Sequence, residues 1–165
     1  MLVCGIDPAS SKNMGYCLAQ ITNTSFKIRT VDTKVIEYTQ NIYMETHYFI
    51  KKLIQDNKID KIVLERSMGF GLSFVRNQLS ELVGIVKMVA AQNGIEVIEL
   101  SPTEVKKTVT GSGKADKKIM RREISLLFGD FDIEQLSEHA IDAISTAYTY
   151  FIKKNIKVLP KTKKN

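Results

Sequence analysis

Two short apolar runs in this chain end on an acid: Leu2-Val3-Cys4-Gly5-Ile6 runs into Asp7, and Ile62-Val63-Leu64 runs into Glu65. Runs this short and apolar on both sides of the pleat mark strands buried in a sheet that is covered on both faces. A third acid, Asp142, interrupts an apolar, helix-like stretch, Ala140-Ile141-Asp142-Ala143-Ile144. A carboxylate placed where a core belongs is costly unless something compensates it. Where acids from distant parts of a chain converge, a divalent cation is the usual compensation. The pattern predicts a sheet that delivers acids to one place, as a metal-dependent phosphodiester-cleaving enzyme requires.

Charge distribution points the same way. The chain has 165 residues and a net charge of +6, with 44% hydrophobic and 25% charged residues, which suits one domain with a proper core. Residues 153–165 hold six lysines and no acid, so residues 1–152 are neutral as a body. Within that body, residues 104–122 carry Lys106, Lys107, Lys114, Lys117, Lys118, Arg121 and Arg122 against Glu104 and Asp116, a surplus of +5. An acidic site bordered by a basic stripe favours a polyanion held through its phosphates. The bland alternative is a solvated helix face plus a lysine tail. No stretch has the eighteen or so apolar residues of a membrane helix, and no secretory signal is visible, so a cytoplasmic protein is expected. Cys4 and Cys17 lack the Cys/His spacing of a zinc site and read as buried, inert thiols.

The chain shows no repeat and no linker. Residues 2–7, 15–21 and 25–31 read as an antiparallel meander, the third strand able to run on through Val35 and Ile36. A helix is expected from Thr39 or Gln40 to about Asp56, then a strand at 62–65, and a loop containing Gly69 and Gly71. A long helix over 73–93 carries more apolar surface than one core face needs, which suits either a subunit interface, the favoured reading, or a central helix. After a strand at 96–100, Ser101-Pro102-Thr103-Glu104 has the form of a capping box with Pro at the first helical position. Gly111-Ser112-Gly113 ends that helix, and helices over 116–128 and about 134–153 follow. The order predicts an α/β domain over 1–152 with a mixed five-stranded sheet, its first three strands antiparallel, and a flexible lysine-rich tail at 153–165. His47 reads as a surface residue, Tyr38, Tyr43 and Tyr48 as helix packing, and Met14 and Met88 as core filling.

Gly5-Ile6-Asp7-Pro8 followed by Gly15-Tyr16 resembles the opening of the RuvC-type Holliday junction resolvases, members of the RNase H-like nuclease superfamily. The resemblance continues through Ile62-Val63-Leu64-Glu65, through Val105-Lys106, Thr108-Val109, Gly111, Gly113, Ala115 and Lys117, and through His139 and Asp142-Ala143. It implies a homodimeric endonuclease that uses two magnesium ions, with manganese a plausible substitute, to cut four-way and other branched DNA symmetrically. By position, Asp7, Glu65, His139 and Asp142 match the family's catalytic and metal-binding set, and Lys106 and Lys117 match basic residues near the scissile phosphate. Lys107, Lys114, Lys118, Arg121, Arg122 and the loop aromatic Phe70 extend the expected DNA surface. No small-molecule cofactor beyond metal is implied, and the source is expected to be bacterial or phage-encoded, with the protein nucleoid-associated.

The chain departs from the family pattern in places. His139 stands where many members have an acid, leaving Glu138 as an alternative ligand. Ala9 replaces a usual Gly, one residue is inserted before Gly15, and Met68 falls where an aromatic wedge is usual, with Phe70 and Phe74 nearby. Two rivals are a resolvase-like RNA-processing nuclease and a noncatalytic DNA-structure binder. The lysine-rich segment 101–122 argues against the first, and retention of Asp7, Glu65 and Asp142 together argues against the second. An actin-like ATPase is excluded by length and by the lack of a phosphate-binding glycine turn after Asp7.

Overall fold

A computed structural model describes residues 1–8, 13–36, 41–66, 73–129 and 131–156, without the side chains of 73–76 and 156. The elements are, in order, β1 (Leu2–Asp7), β2 (Asn13–Ile21), β3 (Phe26–Val35), α1 (Ile42–Asn57), β4 (Lys61–Glu65), α2 (Ser73–Gln92), β5 (Glu96–Leu100), α3 (Pro102–Thr110), α4 (Lys117–Leu127) and α5 (Glu138–Ile156), with a one-turn 3-10 helix at Ile133–Gln135. β1 is the middle strand of a five-stranded sheet of order β3-β2-β1-β4-β5. β2 and β3 run antiparallel on one side, and β4 and β5 parallel on the other, which is the mixed sheet expected from the sequence. β3 extends to Val35 because its pairing with β2 continues to Asn13.

Strand alternation sorts side chains into two cores. Cys4, Ile6, Ile62 and Leu64 face one side, where α1 and α2 contribute Ile50, Leu53, Leu82, Val86 and Val89. Val3 and Val63 face the other, against Val105, Met120, Ile124, Ala143, Ile144 and Ala147 of α3, α4 and α5. The same period of two places Gly5, Asp7 and Glu65 on the α5 side.

α5 lies unusually close to that face. A Cβ at Gly5 would stand 2.3 Å from the Ala143 carbonyl oxygen, and one at Gly15 would stand 2.0 Å from that of His139. Neither distance is compatible with a side chain, so both strands must be bare where the helix crosses them. Ala140, Ala143 and Ala147 keep the facing side of the helix equally thin.

The sequence signals for α3 are realised. The Ser101 hydroxyl accepts from the Glu104 N–H at 3.2 Å, and Glu104 Oε2 accepts from the Ser101 N–H at 3.4 Å. Gly111 then caps the helix in the left-handed region at φ 78°. The other oxygen of Glu104 takes an ion pair from Lys153.

Some side chains depart from expectation. Tyr43 and Tyr48 are 41% and 61% exposed, because Ile42, Thr46, Ile50, Leu53 and Ile54 already form the inward stripe of α1. Met88 is 47% exposed: Leu82, Val83, Val86, Val89 and Ala90 fill the inward side of α2. Most of the apolar surplus on α2 is thus spent inside the domain, leaving Gly84, Met88 and Ala91 outward. α5 runs on to Ile156, so Lys153 and Lys154 belong to a helix rather than a tail. Met14 is buried, and burial raises the pKa of both free thiols, Cys4 and Cys17. Tyr38, Met68, Phe70, the Phe74 side chain and residues 157–165 lie outside the described residues.

Gly15→Ala is expected to destabilise the fold by roughly 2–3 kcal/mol, since the new methyl meets backbone that can yield only if α5 moves. Urea unfolding measures it, and a variant as stable as the parent would show that α5 is not seated this tightly.

Candidate active site

Asp7 and Glu65 close the central strand and its parallel neighbour. Ile6 pairs with Leu64, so the next step along both strands sets the two acids side by side on the α5 face. α5 starts above this end, with His139 in its first turn and Asp142 one turn on. His139 Nδ1 lies 2.8 Å from Asp7 Oδ2, and both side chains are about four-fifths buried, 21% and 17% exposed. The four residues expected to act together therefore gather at one sheet end.

Their electrostatics are unbalanced. Burial first, then the negative charges of Asp142 and Asp7, push Glu65 up to about 7. Burial and Asp7 push Asp142 up to about 6. His139 is held above the usual imidazole range by its hydrogen bond to Asp7. Among the described residues no three acid, histidine or cysteine side chains already form a metal cage. Instead the His139 ring sits on the Asp7 carboxylate. Oxygen-rich, crowded and short of positive charge, this cluster is suited to hard divalent cations.

Two lysines partly offset the acids. Lys106 from α3 and Lys117 from the start of α4 both lower the pKa of Glu65, and Lys117 also acts on Asp142. Lys117 makes its ion pair with Glu138, the first residue of α5. Glu138, considered from sequence as a ligand in place of His139, is thereby engaged with the lysine and exposed. Lys107, Lys114 and Lys118 are exposed around α3 and α4, and Arg122 pairs with the neighbouring Glu123.

Arg121 departs from its expected DNA-facing place. Its guanidinium donates to the carbonyls of Ile133 at 2.7 Å and Leu136 at 2.8 Å, bracing the 3-10 turn that leads into α5. It lies one turn after Lys117 on α4, yet the carbonyls of the 3-10 turn claim its guanidinium. Arg66 belongs to no motif in the sequence. It directly follows Glu65, is exposed, and leans towards Glu99, which Lys87 also pairs. The adjacency to an expected catalytic acid was the available signal.

These features give two expected outcomes. Metal-free, the folded protein binds the Glu65 proton more tightly than the unfolded chain, with a pKa of about 7 against 4.5. Stability from this group is complete below about pH 4.5 and is lost as pH rises through about 7. Glu65→Gln should therefore melt a few degrees higher than the parent in chelator at pH 8, and the gap should vanish near pH 4.5 in paired thermal scans. Arg121→Ala should cost about 2 kcal/mol of stability in urea unfolding, because the carbonyls it braces lose a charged donor.

The family model described as Crossover junction endodeoxyribonuclease RuvC matches residues 3–150. A protein of that name from Pseudothermotoga lettingae is 32% identical, the match covering 94% of this chain and 97% of the relative. Another from Brachyspira hyodysenteriae is 28% identical, covering 91% and 93%. Among solved structures, Thermus thermophilus RuvC in complex with a Holliday junction substrate superposes with a TM-score of 0.84 at 17% identity, over 95% of this chain and 96% of that one. With a family match across nearly its whole length and a near-full-length relative at this identity, the chain belongs to the RuvC family of crossover junction endodeoxyribonucleases.

Proposed function

We propose that this chain resolves four-way DNA junctions by symmetric strand incision, hydrolysing one phosphodiester at each of two sites in a homodimer. The observation that carries the proposal is the meeting of Asp7, Glu65, His139 and Asp142 at one sheet end, with Lys106 and Lys117 beside them. Burial first, and the neighbouring acids second, raise the carboxyl groups of Glu65 and Asp142, and Lys106 and Lys117 only partly offset this. That deficit fits divalent cations, with magnesium the first choice and manganese a substitute. Asp7, Glu65 and Asp142 would hold them through oxygen, with His139 the fourth donor.

Divalent cations held there by Asp7, Glu65 and Asp142 would supply Lewis acidity for phosphodiester hydrolysis. The remaining work belongs to the chain. Asp7 and His139 fix each other's orientation through their hydrogen bond, so neither has to be ordered when substrate arrives. Lys106 and Lys117 stand where they can stabilise charge accumulating on the phosphate. The exposed Lys107, Lys114 and Lys118 extend the positive surface along α3 and α4, where the DNA backbone would lie. Gly84, Met88 and Ala91 offer a thin outer face of α2 on which a second copy could pack.

Purified protein with magnesium should cut a synthetic four-way junction into paired nicked duplexes. Asp7→Asn and Asp142→Asn should bind the same junction and cut it at least about a hundredfold more slowly. A wild type that leaves junctions, forks and flaps intact in both magnesium and manganese sinks the proposal, as does a preference for structured RNA.

A further inference from the structure

Lys117 sits where it could compete with cations for the acid cluster. It is the first residue of α4, on a flexible stem, and its charge is felt at Asp7, Glu65 and Asp142. A lysine so close to three carboxylates has an evident resting place: a salt bridge to one of them. There it would neutralise a ligand and compete with the cation for it. Yet among the described residues Asp142 makes no ion pair, and the lysine pairs with Glu138.

Glu138 is well placed for this. It is four residues before Asp142 on α5, so the two lie on one helix face a turn apart. It is also the first residue of the helix, where a negative side chain is favoured by the helix dipole. Its partner is 60% exposed and Glu138 is 56% exposed, so the pair is weak enough to open when a phosphate arrives. The residues around it, Met120, Arg121 and Ile141, line a small cleft that also includes Asp142. Arg121 is occupied by the carbonyls of the 3-10 turn and does not compete for Glu138.

We propose that Glu138 is a positioning residue: it holds Lys117 off Asp142, keeping the carboxylates open to cations and the ammonium within reach of the scissile phosphate. This rests on the junction-cutting reading for its biological purpose, but its physical core concerns only how the acids, the lysine and a cation compete.

The test is a double-mutant cycle read by manganese binding, followed by electron paramagnetic resonance or calorimetry without DNA. Glu138→Gln keeps the shape and removes the charge. It should weaken manganese binding roughly two- to fivefold, the scale of an exposed ion pair. Part of any loss is the plain removal of a nearby negative charge, and the Lys117→Ala background isolates that part. There the added Glu138→Gln change should cost clearly less, because no lysine remains to collapse onto Asp142. Junction cutting by Glu138→Gln should need more magnesium but approach the parent's rate when magnesium is raised.

Equal losses in the two backgrounds, or no loss in either, would overturn the proposal and leave Glu138 a solvated acid. Circular dichroism of each variant separates misfolding from altered competition, and Glu138→Asp, with the charge retained, should recover part of the affinity. Failure of the parent to cut junctions at any magnesium concentration would instead overturn the functional reading, while the manganese cycle would still decide the role of Glu138.

Discussion

The approach of α5 to the bare backbones of β1 and β2 is the contact on which everything else depends. With glycines at positions 5 and 15, a helix of small residues reaches the sheet at backbone distance rather than across a layer of side chains. Ordinary packing would hold a helix about 10 Å from a sheet. At that spacing an acid on the helix and an acid at a strand end could not serve one ligand. The glycines thus do two jobs: they let the core close, and they bring Asp142 and His139 down to Asp7 and Glu65.

That closeness creates a conflict. The chain gathers acids in a part-buried place, and folding without cations has to bear their loss of hydration and, after it, their repulsion, both visible in the raised Glu65 and Asp142. Proteins accept such local disagreement between stability and chemistry where a ligand will resolve it. Here the conflict is shared among named groups. His139 takes part of the Asp7 charge, Lys106 and Lys117 reduce that on Glu65, and Glu138 occupies the lysine that would otherwise quench the cluster. The basic residues expected from composition divide accordingly: some border the site, and Arg121 is spent on holding up the turn from which α5 begins.

Much of this was legible in the sequence, because the governing signals are local. Apolar runs gave the strands, Ser101-Pro102-Thr103-Glu104 gave the start of α3, and the acids at strand ends pointed to the sheet end where the acidic cluster lies. The face of the sheet on which Asp7 and Glu65 meet follows from the period of two once parallel pairing is known. What stayed hidden depends on pairs distant in sequence. Nothing local distinguishes Arg121 from Arg122, yet one braces carbonyls twelve to fifteen residues away and the other stays at the surface. The outward turn of Tyr43, Tyr48 and Met88 had the same origin: helical periodicity says which residues share a face, and neighbouring elements decide which face is inside.

The two oxygens of Glu104 carry a consequence for how load travels through the molecule. One belongs to the capping box of α3 and the other to Lys153 near the far end of α5. A pull on Lys106 would load α3, which is tied to α5 both by this carboxylate and by the core that Val105 and Val109 share with Ala143, Ile144 and Ala147. Asp142 and Lys106, the acid and the lysine proposed for the site, thereby sit on helices that are tied to each other. If DNA is held as proposed, strain from a bent arm would shift the two helices together, where independently hinged helices would move apart.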